Sequence, residues 1–175
     1  MKFICNKDTI LSVVQTTSKA AAGKSSIQAL EGILMELEGN TLTVTGYDLD
    51  IGIKTSIEVE GIESGNIVIS AKMAVDIIRK MPSGSITFEC SGNNLAEITN
   101  NMTSFSVSCS SADDYPNVPQ VNPDTSFTMP QKLLKSMIIQ TKFAVAVVDS
   151  KPALMGCKFE LENNVLSVAA VDGVR

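Results

Sequence analysis

Carboxylates and one lysine-bearing loop hold what chemistry this chain could do. Asp48 and Asp50, in Gly46-Tyr47-Asp48-Leu49-Asp50, could share a metal ion, and Asp113-Asp114 could act as an acid–base pair. The Asp48 stretch does not supply the further oxygen ligands of a calcium loop, and both stretches read as turns. Ala22-Gly23-Lys24-Ser25 has the tail of a phosphate-binding loop but lacks the upstream glycine that such a loop needs. The sequence contains no histidine, which removes Ser–His and Cys–His nucleophile pairs and His-ligated zinc. Cys5, Cys90, Cys109 and Cys157 include no two close enough in sequence for a zinc-type or redox pair, and read as small core hydrophobes in a reducing cytosol. The expectation is a protein that is not an enzyme, with no cofactor and no metal.

The elements that must position these residues follow from periodicity. Residues 1–5 alternate as a strand, Asn6 is placed to cap a helix over about 7–20, and Ile10, Val13, Val14 and Thr17 form its buried stripe. Strands are expected at 33–37 and 42–44 around Glu38-Gly39-Asn40, then near 50–59, and at 67–69 leading into the cap Ser70. A second helix over about 72–81 has Met73, Ile77, Ile78 and Met81 as its apolar side, and Pro82-Ser83-Gly84 stops it. Three short strands near 86–89, 95–99 and 105–107 follow. Tyr115 to Pro123 carries three prolines and two asparagines and reads as a linker. No apolar run approaches the roughly 18 residues of a membrane span, and the amino terminus lacks the apolar region of a secretory signal.

Beyond that linker the sequence repeats itself. Displaced by 124 positions, Phe3 falls on Phe127, Thr17 on Thr141, Gly32 on Gly156, Glu36-Leu37-Glu38 on Glu160-Leu161-Glu162, and Asp48 on Asp172. So long a period marks a duplicated domain rather than a solenoid. Residues 1–122 read as one complete domain and 123–175 as the first half of a second. A helix after Pro130, with Leu133, Leu134, Met137 and Ile138 as its stripe, and strands near 156–161 and 165–170 restart the order. The class is α+β: a repeated domain of two helices packed on one face of a curved antiparallel sheet.

Charge is sorted between these layers. The expected helices carry Lys7, Lys19, Lys72, Arg79, Lys80, Lys132, Lys135 and Lys142 against Asp8 and Asp76, in a chain whose net charge is −5. Glutamate is as good a helix former as lysine, yet these helices contain none. The pattern points to helices facing a polyanion. With few aromatics beside them, the lysines suit phosphates of any base sequence rather than stacked bases.

Several motifs then carry a resemblance. The opening Met1-Lys2-Phe3, Gly46-Tyr47-Asp48-Leu49-Asp50-Ile51-Gly52-Ile53, Ala71-Lys72 with Asp76-Ile77-Ile78-Arg79, Asp113-Asp114-Tyr115-Pro116, Gln140-Thr141-Lys142-Phe143-Ala144 and Val171-Asp172-Gly173-Val174-Arg175 occur in family order across the whole chain. Together they resemble the bacterial sliding clamp, the β subunit of DNA polymerase III. That resemblance implies the DNA-clamp fold, with three copies of the domain per chain. It also implies two chains closed head to tail into a homodimeric ring around duplex DNA, helices lining the hole. It places Lys24, Lys72 and Arg79 among the DNA-facing cations. Lys80, Lys132, Lys135 and Lys142 join them on helix-face and charge grounds. It puts Phe105, Val107 and the 72–81 helix with Asp76 at the edge that meets the other subunit. It makes Lys151, Leu154, Val171, Gly173, Val174 and Arg175 part of an apolar pocket for linear peptides of the polymerase, clamp loader and repair proteins. Lys151 stands where arginine is common in the family, and Val171 where threonine is common.

The function so implied is a cytoplasmic, non-catalytic processivity factor that tethers the replicative polymerase by topology. On this reading the second domain is cut and the third is absent. The chain alone is then expected not to close a ring and to leave an unpaired strand after Ala170. The alternative is a scaffold or peptide-binding module that never surrounds DNA. A carboxylate-dependent enzyme on Asp48 and Asp50 is a third reading, and it predicts stabilisation by metal.

Overall fold

The computed structural model describes residues 1–92, 94–120, 126–148 and 151–173. The chain divides into two compact units, Met1–Gln120 and Val121–Arg175.

In the first unit, strand β1 (Lys2–Asn6) runs directly into helix α1 (Lys7–Thr17). The Asn6 side chain accepts the backbone N–H of Asp8 at 2.9 Å and of Thr9 at 3.4 Å, as an N-cap should. The α-helix ends three residues before the expected limit, because Ser18–Ala20 tighten into a 3-10 turn. Strands β2 (Gly32–Glu38), β3 (Thr41–Tyr47) and β4 (Gly52–Glu58) form a meander. β5 (Glu60–Glu63), absent from the periodicity reading, and β6 (Gly65–Ser70) lead to helix α2 (Ala71–Lys80). Ser70 Oγ accepts the N–H of Met73 at 3.4 Å. Strands β7 (Ser85–Cys90), β8 (Leu95–Asn100) and β9 (Thr103–Ser110) complete the unit.

All nine strands join one antiparallel sheet in the order β4-β3-β2-β6-β9-β8-β7-β1-β5. β4 and β5 end that order on opposite sides, yet only Val59 separates them in sequence. The sheet therefore curls until its end strands meet. Helices α1 and α2 pack against each other, and Ile10, Val14, Ala74 and Ile78 lie in one buried cluster with Phe3, Met35, Leu42, Phe88 and Ile98 of the strands. Phe3 and Phe88 stack at 5.1 Å between ring centroids. Two expectations are corrected here. Met73 is half-exposed and Ala71 and Ala74 are buried instead, so the α2 stripe is offset toward small residues that let the helix sit close to the sheet. Tyr115 is no linker residue: it is buried with Leu30, Tyr47 and Val68, and its hydroxyl donates to the Thr45 carbonyl at 3.3 Å. The prolines that suggested a linker begin one residue later.

The second unit contains helix α3 (Gln131–Thr141), 3-10 turns at Lys142–Ala144 and Pro152–Met155, and the antiparallel pair β10 (Lys158–Glu162) and β11 (Val165–Ala169). The expected stripe of α3 is not buried: Leu133 and Ile138 are exposed, and no residue of the helix is fully covered.

Candidate nucleic-acid interface

The first unit concentrates exposed cations on α2 and at the end of α1. On α2, Lys72, Asp76 and Arg79 stand four and three residues apart, hence on one face. The buried residues Ala71, Ala74, Ile77 and Ile78 turn another face to the core. Lys72, Arg79 and Lys80 are all exposed. Arg79 and Lys80 fall in the last turn, where the helix dipole favours positive charge. Asp76 approaches Arg79 at 3.9 Å, a partly exposed pair that offsets one charge of the stripe without burying it. Lys24 is exposed in the loop after α1. A cleft of about 460 Å³ lined by Ser18, Gly23, Lys72 and Asp76 brings that loop beside the first turn of α2. Lys19, counted among the helix cations but left out of the expected site, is exposed on the 3-10 turn at the same end. Its signal was the helix charge sorting itself.

In the second unit Lys132 and Lys135 are exposed on α3, three residues apart, and Lys142 is exposed on the turn that follows. No acidic side chain lies on α3.

Phe105 and Val107 lie on β9, whose flank toward β8 is paired from Thr103 to Ser108. Its other flank meets β6 only through Cys109 and Ser110. Among the described residues, the backbone of 103–107 has no strand partner on that side. Val107 is buried and Phe105 half-buried against the core, so this edge offers backbone groups more than apolar side chains.

Of the expected peptide pocket, Lys151 and Gly173 are exposed, Leu154 is half-buried and Val171 is exposed. The Leu154 N–H donates to the Lys151 carbonyl at 2.9 Å, and the Leu154 carbonyl accepts from Ala146 at 2.9 Å, which fixes this turn. Val174 and Arg175 lie outside the described residues, as do Val121 to Pro123 of the expected linker.

Asp48, one of the carboxylates suspected of chemistry, closes a turn. The Asp48 carboxylate accepts the N–H of Asp50 at 3.0 Å and of Ile51 at 2.7 Å, and these bonds hold its pKa below the usual carboxylate value. They close a turn in which Leu49 takes a left-handed φ of 83°. The cysteine reading needs correction: sequence separation hid that Cys90 Sγ and Cys109 Sγ lie 3.2 Å apart.

Comparison with known proteins identifies the family. The family model of the DNA polymerase III beta subunit N-terminal domain matches residues 1–119, and that of its central domain matches residues 128–175. The chain is 33% identical to the beta sliding clamp of Halalkalibacterium halodurans, covering 100% of this chain and 48% of the relative. Its structure is similar to that of a putative DNA polymerase III beta subunit from Eubacterium rectale, with a TM-score of 0.89, 33% identity, and coverage of 99% of this chain and 47% of the other. The sliding clamp of Bacillus subtilis gives a TM-score of 0.87 at 31% identity over 98% of this chain and 47% of that one. The chain thus spans about half the length of the relatives it matches. With its helices on one face of a curled antiparallel sheet and both family domains matched in order, the chain belongs to the DNA polymerase III beta subunit family, the bacterial sliding clamps.

Proposed function

We propose that this chain is part of a DNA sliding clamp, in which residues 1–122 form the first clamp domain and residues from 123 onward belong to the second. In the full-length form, two chains close head to tail around duplex DNA and hold the replicative polymerase there. The observation that carries the reading is the placement of exposed cations on the helices, with Lys72, Arg79 and Lys80 on α2 and Lys132 and Lys135 on α3. Lys24 and Lys142 stand on the turns that follow helices. The carboxylates lie mainly on strands and loops.

Helices bearing such cations meet phosphate oxygens at any sequence. Retention then comes from encirclement, so each contact can be weak and salt-sensitive, and the protein catalyses no step. The open β9 edge at Phe105 and Val107, with Asp76 of α2, is the surface proposed to meet the other subunit. Pairing there would remove an exposed strand edge. Lys151, Leu154, Val171, Gly173, Val174 and Arg175 are proposed to contribute to a pocket for peptides of the polymerase, clamp loader and repair proteins. The location is cytoplasmic.

The test uses the chain extended to the length of its relatives and loaded on nicked circular DNA by a clamp loader. It is expected to stay on the circle and to leave when the circle is linearised. Equal loss from both forms overturns encirclement. Reversing Lys72, Arg79 and Lys80 to glutamate should weaken duplex binding without sequence preference. It should also flatten its dependence on log salt by roughly one unit for each lost phosphate contact. Duplex retention that does not depend on these three cations, with peptide binding intact, favours the scaffold reading.

A further inference from the structure

Cys90 closes β7 and Cys109 lies near the end of β9, two strands that flank β8. Cys90 sits opposite Ala96 of β8, and the Cys109 N–H donates to the Asn94 carbonyl at 2.9 Å. Both thiols therefore reach over the beginning of β8, and the small Ala96 side chain leaves them room to meet at 3.2 Å. We propose that Cys90 and Cys109 form a redox-active dithiol which a low-molecular-weight disulfide converts to an intramolecular Cys90–Cys109 bond.

Access, proximity and contrast with the other cysteines support this. Both residues are half-buried and line a cleft of about 290 Å³ with Met1, Asn94 and Ser110. Cys5 is buried among core side chains, where a disulfide in solvent does not reach it. Cys157 lies in the second unit, with Thr141 Oγ1 at 3.7 Å from its sulfur. Burial, then the hydrogen bond to Cys90, pushes the Cys109 thiol up to about 12 while both thiols are reduced, and that hydrogen bond is lost once Cys90 carries a mixed disulfide.

The balance is complete with the oxidant named. The Cys90 thiolate attacks one sulfur of the small disulfide, whose S–S bond breaks to release one thiolate and leave a mixed disulfide on Cys90. The Cys109 thiolate then attacks the Cys90 sulfur and expels the second small thiolate. Two protein thiols are oxidised, one disulfide is reduced to two thiols, and the two protons lost by the protein go to them. The sulfurs must close from 3.2 Å to the roughly 2.05 Å of the bond. The staple would tie β7 to β9 at the place where Cys109 pairs with Ile69, one of the two residue pairs through which β9 joins β6.

The experiment equilibrates the folded chain with oxidised glutathione, quenches with acid, unfolds, alkylates and maps by mass spectrometry. The expected product is monomeric, with Cys5 and Cys157 alkylated and a peptide cross-linked through Cys90 and Cys109. Dithiothreitol should restore four alkylated cysteines. The oxidised chain should unfold roughly 5–10 °C higher than the reduced one, since the new bond removes conformational freedom from the unfolded chain. Cys109→Ser should stop at the glutathione adduct on Cys90. If that variant does not fold, the wild-type map decides alone. Four alkylated cysteines, a bridge through Cys5 or Cys157, or two persistent glutathione adducts overturns the proposal.

Discussion

Tyr115 and Leu49 show how single side chains fix the rim of the first unit. Tyr115 is 7% exposed, and burial pushes its phenol up to about 12. A phenol whose pKa is raised on folding is favoured in its neutral form. Its contribution is complete below the unfolded value near 10 and is lost as pH climbs through 12. Denaturant melts of the chain should therefore lose stability between about pH 10 and 12, and Tyr115→Phe should flatten that decline. At neutral pH the same variant should cost about 0.5–1.5 kcal/mol for the lost bond to the Thr45 carbonyl. A decline unchanged in Tyr115→Phe assigns the loss to other groups. Leu49 is the opposite case, an exposed branched side chain at a φ of 83°. Left-handed backbone costs such a residue about 1–2 kcal/mol, while glycine adds roughly 0.5–1 kcal/mol of unfolded-state freedom. Leu49→Gly should thus stabilise the chain by about 0.5–1 kcal/mol in a urea melt. A loss of stability would show that Leu49 contributes packing its exposure does not reveal.

Elements are legible in the sequence to the extent that their signals are local. Asn6 and Ser70 cap their helices as their side-chain chemistry dictates. The alternation of Ile33, Met35 and Leu37, and of Ile86 and Phe88, marks the strands that bury them. β5 escaped because Glu60-Gly61-Ile62-Glu63 has neither alternation nor strand-forming composition, and it is held from outside by pairing with β1. Tyr115 escaped because an aromatic beside a proline reads the same in a linker as in a core. The exposed helix cations were legible from charge sorting, whereas Lys24 in the loop came only with the family resemblance. The Cys90–Cys109 approach was not, because it depends on how β7 and β9 converge across β8. Gly46 carries a further element-level demand. A Cβ there would stand 2.0 Å from the Thr17 carbonyl oxygen, so β3 and the end of α1 meet backbone to backbone. Gly46→Ala must force α1 off the sheet, and it should cost about 1–3 kcal/mol in a urea melt. A change within a few tenths would mean that α1 can slide at no cost.

At the scale of the whole molecule, the two units differ in how much apolar surface they bury. The first encloses Phe3, Ile10, Leu42, Phe88 and Ile98 almost completely. In the second, the buried hydrophobic residues among those described are Ala144 and Ala146, while Leu133, Phe159, Leu161 and Val165 stay exposed. An 11-residue helix is marginal alone in water, as is a two-stranded sheet, and most helix stability comes from packing an apolar face. The second unit should therefore open locally well before the first unfolds. In native-state hydrogen exchange, amides of β2 and β7 should exchange only through global unfolding. Those of α3, β10 and β11 should exchange at least about 100-fold faster, a gap of roughly 3 kcal/mol in opening free energy. Uniform protection across both units would mean that the second draws stability from something other than its own core.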